Sequence, residues 1–190
     1  MQKNIYEKEN ISIIIFNVGW EEFAIDLLDV KEIIQAGQVR KLPKSMDFID
    51  GIYNYRGEII HIINLRKKLN LDEYKLYRSK KELYESKKEG ETVSEEQIGG
   101  SNGGTAKKYI IIVNVDNKNI GFYADKIHNV SQINKSDIID LTPIFQTSVD
   151  VNYIKGVIRF EDRPRILINL SKVLTEAEAQ MIQKELDSRK

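Results

Sequence analysis

No cysteine occurs anywhere in the 190 residues. Its absence excludes a disulfide framework, a thiolate metal site and a thiol nucleophile, and matches the usage of a reducing compartment. Histidine is nearly as scarce. His61 and His128 stand alone, outside any His-x-x-His or Glu-x-x-His spacing that would write a metal site. Net charge is missing too: 29 Lys+Arg balance 29 Asp+Glu, which gives no global attraction to nucleic acid or to an anionic membrane. Long apolar runs are absent as well. The opening "MQKNIYEKEN" is polar and the following "ISIIIF" is too short for a signal core or a membrane span, so a soluble, cytoplasmic protein is expected. The one Gly-rich stretch, "GGSNGGT", lacks the Lys-Ser/Thr ending of a phosphate loop, and there is no Gly-x-Ser-x-Gly elbow. Acid pairs such as Glu21/Glu22 and Asp26/Asp29 are ordinary for turns and surfaces. Neither catalysis, nor a cofactor, nor a metal is expected.

What is present is strand. At 41% hydrophobic and 31% charged, the chain is long enough to bury one core or two small linked ones. "ISIIIFNV" (Ile11–Val18) is β-branched and bounded by "GWEE", a strand followed by a turn. Phe23, Ile25 and Leu27 alternate with Ala24 and Asp26, so a second strand is predicted into Leu27. Leu28–Ile34 fits a further strand or a single helical turn. Pro43 and Ser45 introduce a short turn ending at Gly51. "IYNYRGEIIHIIN" reads as a β-hairpin, its Gly57 suited to the left-handed residue of a G1 bulge after a type I turn.

The chain then repeats itself. "GIYNYRGEIIHIINLRKKL" (Gly51–Leu69) aligns without a gap on "GVIRFEDRPRILINLSKVL" (Gly156–Leu174), a constant offset of 105 residues. "MDFIDG" matches "VNYIKG" at that offset, and "IIIFNV" (Ile13–Val18) matches "IIIVNV" (Ile110–Val115) at 97. Identities at Ile49/Ile154, Gly51/Gly156, Asn64/Asn169, Leu65/Leu170 and Leu69/Leu174 favour duplication over convergent hairpin patterning. Two copies rich in short strands predict paired small β-barrels, with Ile63/Ile168 and Leu65/Leu170 equivalent. Asp162 stands where Gly57 was and also tolerates left-handed backbone, so the same turn is expected twice. Arg56 is replaced by Glu161, a reversal of charge. Residues 72–106, dense in Lys and Glu, read as a polar insertion, and Thr175-x-x-Glu178 is a capping box opening a C-terminal helix.

"FAIDLLDVKEI", "FIDGIYNYRGEIIHIINLRKKL" and "YIIIVNVDNKNIGFYADKIHNV" together resemble the CheW domain of chemotaxis coupling proteins. The likeness covers roughly residues 11–174 apart from the insertion. Tyr55 takes the place of the family's usual Leu, His61 that of a common Pro, and Asn64 that of a common Asp. The resemblance implies an all-β fold of two five-stranded, SH3-like barrels side by side, with short helical turns. One repeat would span 11–71 and the other 107–174, followed by the helix in 175–190. It also implies a non-catalytic adaptor joining the cytoplasmic tails of transmembrane chemoreceptors to a CheA-type histidine kinase, associated with the membrane only through those receptors.

Partner contact is implied by that resemblance at Val30, Glu32, Gly51, Asn54, Tyr55, Arg56, Gly57 and Ile112. Arg56 leads because an arginine fork at a hairpin tip suits carboxylates and carbonyls across an interface, with Glu32 as the internal partner that orients it. The plainer readings are a solvated turn for Arg56, core packing for Val30 and a left-handed turn for Gly51. Three rival functions remain open: an enzyme with an unrecognised site, a small-barrel nucleic-acid binder, and a CheW-like scaffold outside motility. For the binder, "YNYRG" and "NLRKKL" are the only hints.

Overall fold

The computed structural model describes residues 10–43, 45–71, 109–140 and 152–187; the predicted insertion at 72–106 lies outside them. The first half supplies β1 (Asn10–Val18), β2 (Glu21–Asp26), a 3-10 turn at Leu27–Asp29, β3 (Glu32–Gln35), β4 (Ile49–Tyr55), β5 (Glu58–Ile63) and α1 (Leu65–Lys68). The second half supplies β6 (Tyr109–Val115), β7 (Lys118–Ala124), β8 (Lys126–Asn134), β9 (Ile138–Ile139), β10 (Ile154–Ile158), β11 (Arg165–Ile168) and α2 (Glu176–Asp187).

Two sheets result, and neither belongs to one half. The five-stranded sheet runs β3-β6-β7-β5-β4 and the six-stranded sheet β8-β1-β2-β11-β10-β9. Each takes the leading strand pair of one half and the later strands of the other. The 11–71 and 107–174 repeats are therefore interleaved across both sheets. The exchange is reciprocal to the residue. Ile62 pairs in parallel with Gly121, and Leu167 with Ala24, which are the same two positions at offsets of 105 and 97. Both hairpins carry a register shift at the same place, Ile49/Gly51 and Ile154/Gly156. Ile63 and Ile168 sit at equivalent ladder positions, and Asn64 and Asn169 each cap the turn that buries Leu65 or Leu170.

Burial explains the unbroken apolar runs. Ile14, Phe16 and Val18 of β1 join Ile111, Val113 and Val115 of β6 in a core to which both sheets contribute. The alternate residues, Ile13 and Ile15 or Ile110 and Ile112, fill a separate core within one sheet each. A strand buried on both faces loses its polar alternation, and each fully buried isoleucine contributes roughly 1.5–3 kcal/mol. α2 lays the buried Ile182 on the shared core, while Met181 is exposed. Its capping box is formed, with Glu178 N–H donating to Thr175 Oγ1 and Thr175 N–H to Glu178 Oε2.

Three expectations are corrected. Neither sheet is a closed barrel, because β3 and β4 share no ladder in one and β8 and β9 share none in the other, which has six strands where five were expected. The first hairpin has no type I turn with a G1 bulge: Tyr55 pairs with Glu58 across two residues, both at positive φ (Arg56 51°, Gly57 87°), which is a type I′ turn. Its twist matches that of the flanking strands, and that selects it for a two-residue loop. Nor does the turn recur, since the second hairpin opens out between Ile158 and Arg165 and Asp162 is not left-handed. Arg165 holds Asp162 by two contacts of 2.8 and 2.7 Å, a fork that favours the longer loop.

Candidate functional site

The first hairpin tip is set by its own residues. Asn54 Oδ1 accepts from Gly57 N–H at 2.8 Å, closing the turn from the side. The β6–β7 turn repeats the device with Asn114 Oδ1 accepting from Asn117 N–H at 3.0 Å, and there Asp116 (φ 49°) and Asn117 (φ 66°) hold the left-handed positions. Asp and Asn tolerate that backbone well. An arginine does not, at a cost of about 1–2 kcal/mol. The chain spends the tolerant residues on one turn and puts Arg56 on the other.

Arg56 is 73% exposed in its side chain, yet anchored. Its Nη2 lies 3.0 Å from Glu32 Oε1 and 2.9 Å from Oε2. Tyr55, nearly buried, donates its hydroxyl to Glu32 Oε2. The Arg56 guanidinium stands 5.4 Å from the centre of the Tyr55 ring, and Lys31 Nζ stands 5.8 Å from it. Glu32 belongs to β3 and Tyr55 to β4, the two outer strands of the sheet. Side chains thus draw together edges that no backbone ladder joins.

Electrostatics follow the geometry. The Tyr55 hydroxyl, with Arg56 behind it, holds Glu32 below the usual carboxylate range against the opposing effect of desolvation. The same bond, together with desolvation, pushes the Tyr55 phenol above its usual value. A second polar chain runs alongside: Lys31 Nζ donates to Asn119 Oδ1 at 2.9 Å, and Asn119 donates onward to Glu58.

The predicted site residues separate into two groups. Glu32, Asn54, Tyr55, Arg56 and Gly57 come together at the tip. Of these, Asn54, Arg56 and Gly57 are exposed and Glu32 is partly so. Ile112, expected at the partner surface, is fully buried at 0% within this chain; it pairs with Glu32 and its carbonyl accepts from Lys31 N–H, so it serves the site through backbone. Gly51 is buried too, at φ 149°, where a side chain would collide with the Arg40 carbonyl. Val30 is half-buried and packs on the shared core. Sequence reasoning missed Lys31, Asn119 and Glu58. Lys31 and Asn119 lie 88 residues apart, and only the repeat offset linking Asn119 to Glu22 hints at a role.

Among the described residues no group of three or more His, Asp or Glu is placed to hold a metal ion, and no helix is long and apolar enough to cross a membrane. In "NLRKKL", Lys67 pairs with Asp50 at 3.3 Å and Lys68 with Glu178 at 2.6 Å, while Arg66 lies 4.0 Å from Asp125. Cations so engaged do not form a stripe for phosphates.

The family model for the CheW-like domain matches residues 12–178. The chemotaxis protein CheW of Treponema pallidum (strain Nichols) is 30% identical over 174 residues, covering 92% of this chain and 88% of that one. That of Bacillus subtilis (strain 168) is 25% identical over 173 residues, covering 91% and 92%. The crystal structure of the scaffolding protein TtCheW from Thermoanaerobacter tengcongensis superposes with a TM-score of 0.62 at 25% identity, over 87% of this chain and 92% of that one. With a match spanning both sheets and the interleaved repeats between them, the chain belongs to the CheW-like domain family.

Proposed function

We propose that this chain, a non-catalytic scaffold of chemotaxis signalling like its relatives, joins the cytoplasmic tails of chemoreceptors to a CheA-type histidine kinase. Arg56 carries the reading. It occupies a left-handed turn position that its own fold fills elsewhere with Asp116 and Asn117, so a function offsets the local cost. Its guanidinium is fixed on one side by Glu32 and open on the other, the arrangement that lets an arginine grip a partner's carboxylate or carbonyl at little further entropy cost. Turn residues and the outer strand β3 form the contact; the shared core and α2 hold them in place.

The test is direct binding. The purified chain is titrated with the regulatory domain of a CheA-type kinase and, separately, with a receptor cytoplasmic fragment. Micromolar binding to either that weakens in Arg56→Ala supports the reading. Binding to neither, with the fold intact by circular dichroism, defeats it.

A further inference from the structure

Tyr55 does more at the tip than packing requires. Its ring fills a core with Ile60, Ile62, Ile110 and Ile112, a task that an apolar side chain would also perform. The hydroxyl is the addition, and it is spent on Glu32, the same carboxylate that anchors Arg56. Glu32 meets Arg56 only through Nη2, and the Arg56 guanidinium stands beside the Tyr55 ring. One aromatic residue therefore holds the anchor in place and lends a ring face to what is anchored. Without the hydroxyl, Glu32 keeps only an exposed ion pair, which by itself does little to fix two flexible side chains.

We propose that Tyr55 is a positioning residue for the partner surface: its hydroxyl on Glu32 and its ring beside Arg56 fix the guanidinium through Nη2 and leave Nε and Nη1, which Glu32 does not hold, for an acidic or carbonyl group of the partner. This rests on the proposed partner binding for its consequence and on the hairpin alone for its geometry. In this chain the surface is set in advance, and the gain is affinity through lower ordering cost.

The test follows Arg56 itself. In the full chain carrying isotope-labelled arginine, rotation about the Arg56 Nε–Cζ bond is measured by NMR, with the signal assigned by its loss in Arg56→Ala. The parent should rotate slowly. Tyr55→Phe, and Tyr55→Leu as a second apolar variant, should each return Arg56 to fast rotation while keeping a cooperative thermal unfolding transition, with a melting temperature lowered by the lost hydroxyl contact. Binding of the kinase regulatory domain should weaken about tenfold. In the Arg56→Ala background Tyr55→Phe should cost nothing more. Unchanged Arg56 rotation in both Tyr55 variants overturns the positioning role outright. A freed Arg56 with undiminished binding overturns the link to partners, and if Arg56→Ala also binds like the parent, the fault lies with the functional reading.

Discussion

Glu22 and Asn119 hold the same place in the two sheets, each cross-strand from an asparagine, Asn17 in one hairpin and Asn114 in the other. Their surroundings correspond as well. Asn119 lies between Lys31 and Glu58. Glu22 lies between His128, 4.0 Å away, and Arg163, 2.7 Å away, at the positions that match at the repeat offsets. One duplicated frame thus carries two chemistries: an amide relay beside the Arg56 tip, and a carboxylate gathered under arginines on the other sheet. The duplication preserved the backbone and freed the polar fittings to diverge.

Arg56→Glu should abolish partner binding and spare the fold. The substituted side chain is mostly exposed and Arg56 already tolerates φ 51°, so the change should cost about 1 kcal/mol of stability. At an interface the same reversal should cost about 2–4 kcal/mol, enough to dissolve a micromolar complex. Calorimetric titration beside thermal melts checks both halves. Parent-like affinity would move the partner surface away from this hairpin.

The glycines divide by what surrounds them. Gly51→Ala meets the Arg40 carbonyl at φ 149°, and Gly156→Ala meets the Ile139 carbonyl at 2.7 Å and φ 156°. Each should lose about 2–4 kcal/mol, since strain and overpacking combine. Gly57→Ala keeps only the backbone cost, about 1–2 kcal/mol, because no atom lies within 4 Å of the added carbon. Urea melts that rank Gly57→Ala with the other two would contradict this division.

Much of this was legible in the sequence, and the gaps have physical causes. The offsets of 105 and 97 and the β-branched runs located the strands and the repeat because side-chain periodicity is local. The contact of Arg56 with Glu32 was expected once the family resemblance had drawn attention to the hairpin tip, and the structure forms it. Reciprocal strand exchange was hidden, because parallel pairs such as Ile62 with Gly121 join distant segments whose apolar patterns fit either sheet. The burial of Ile112 was hidden because its strand is buried on both faces, so its apolar run does not alternate with polar residues. The turn was misread since "RG" suits two geometries, and the twist of the flanking strands, absent from the sequence, decides between them.

Acid should reveal the second sheet's polar cluster. Arg165 is 11% exposed in its side chain and binds Glu22 at 2.8 Å and Asp162 at 2.7 Å. The Arg165 hydrogen bond leads the causes that hold the Asp162 carboxyl down at about 2, against an ordinary 3.8. At Glu22 burial acts upward, but hydrogen bonds from Arg165 and Arg163 outweigh it and leave the carboxylate below its usual range. A depressed carboxylate contributes stability that is complete above its unfolded pKa and lost as pH falls through the folded one. For Asp162 that window runs from about 3.8 down to about 2. Asp162→Asn should therefore melt slightly below the parent at pH 6, the ion pair being largely solvent-exposed on its Asp162 side, with the gap closing as pH approaches 2. Glu22→Gln should show a wider gap, because it strips a charged hydrogen bond from a nearly buried guanidinium, a loss of roughly 1.5–3 kcal/mol. Melting curves across that range test both variants. A gap at Asp162→Asn that persists unchanged at pH 2 would mean that the arginine is held by shape and not by charge.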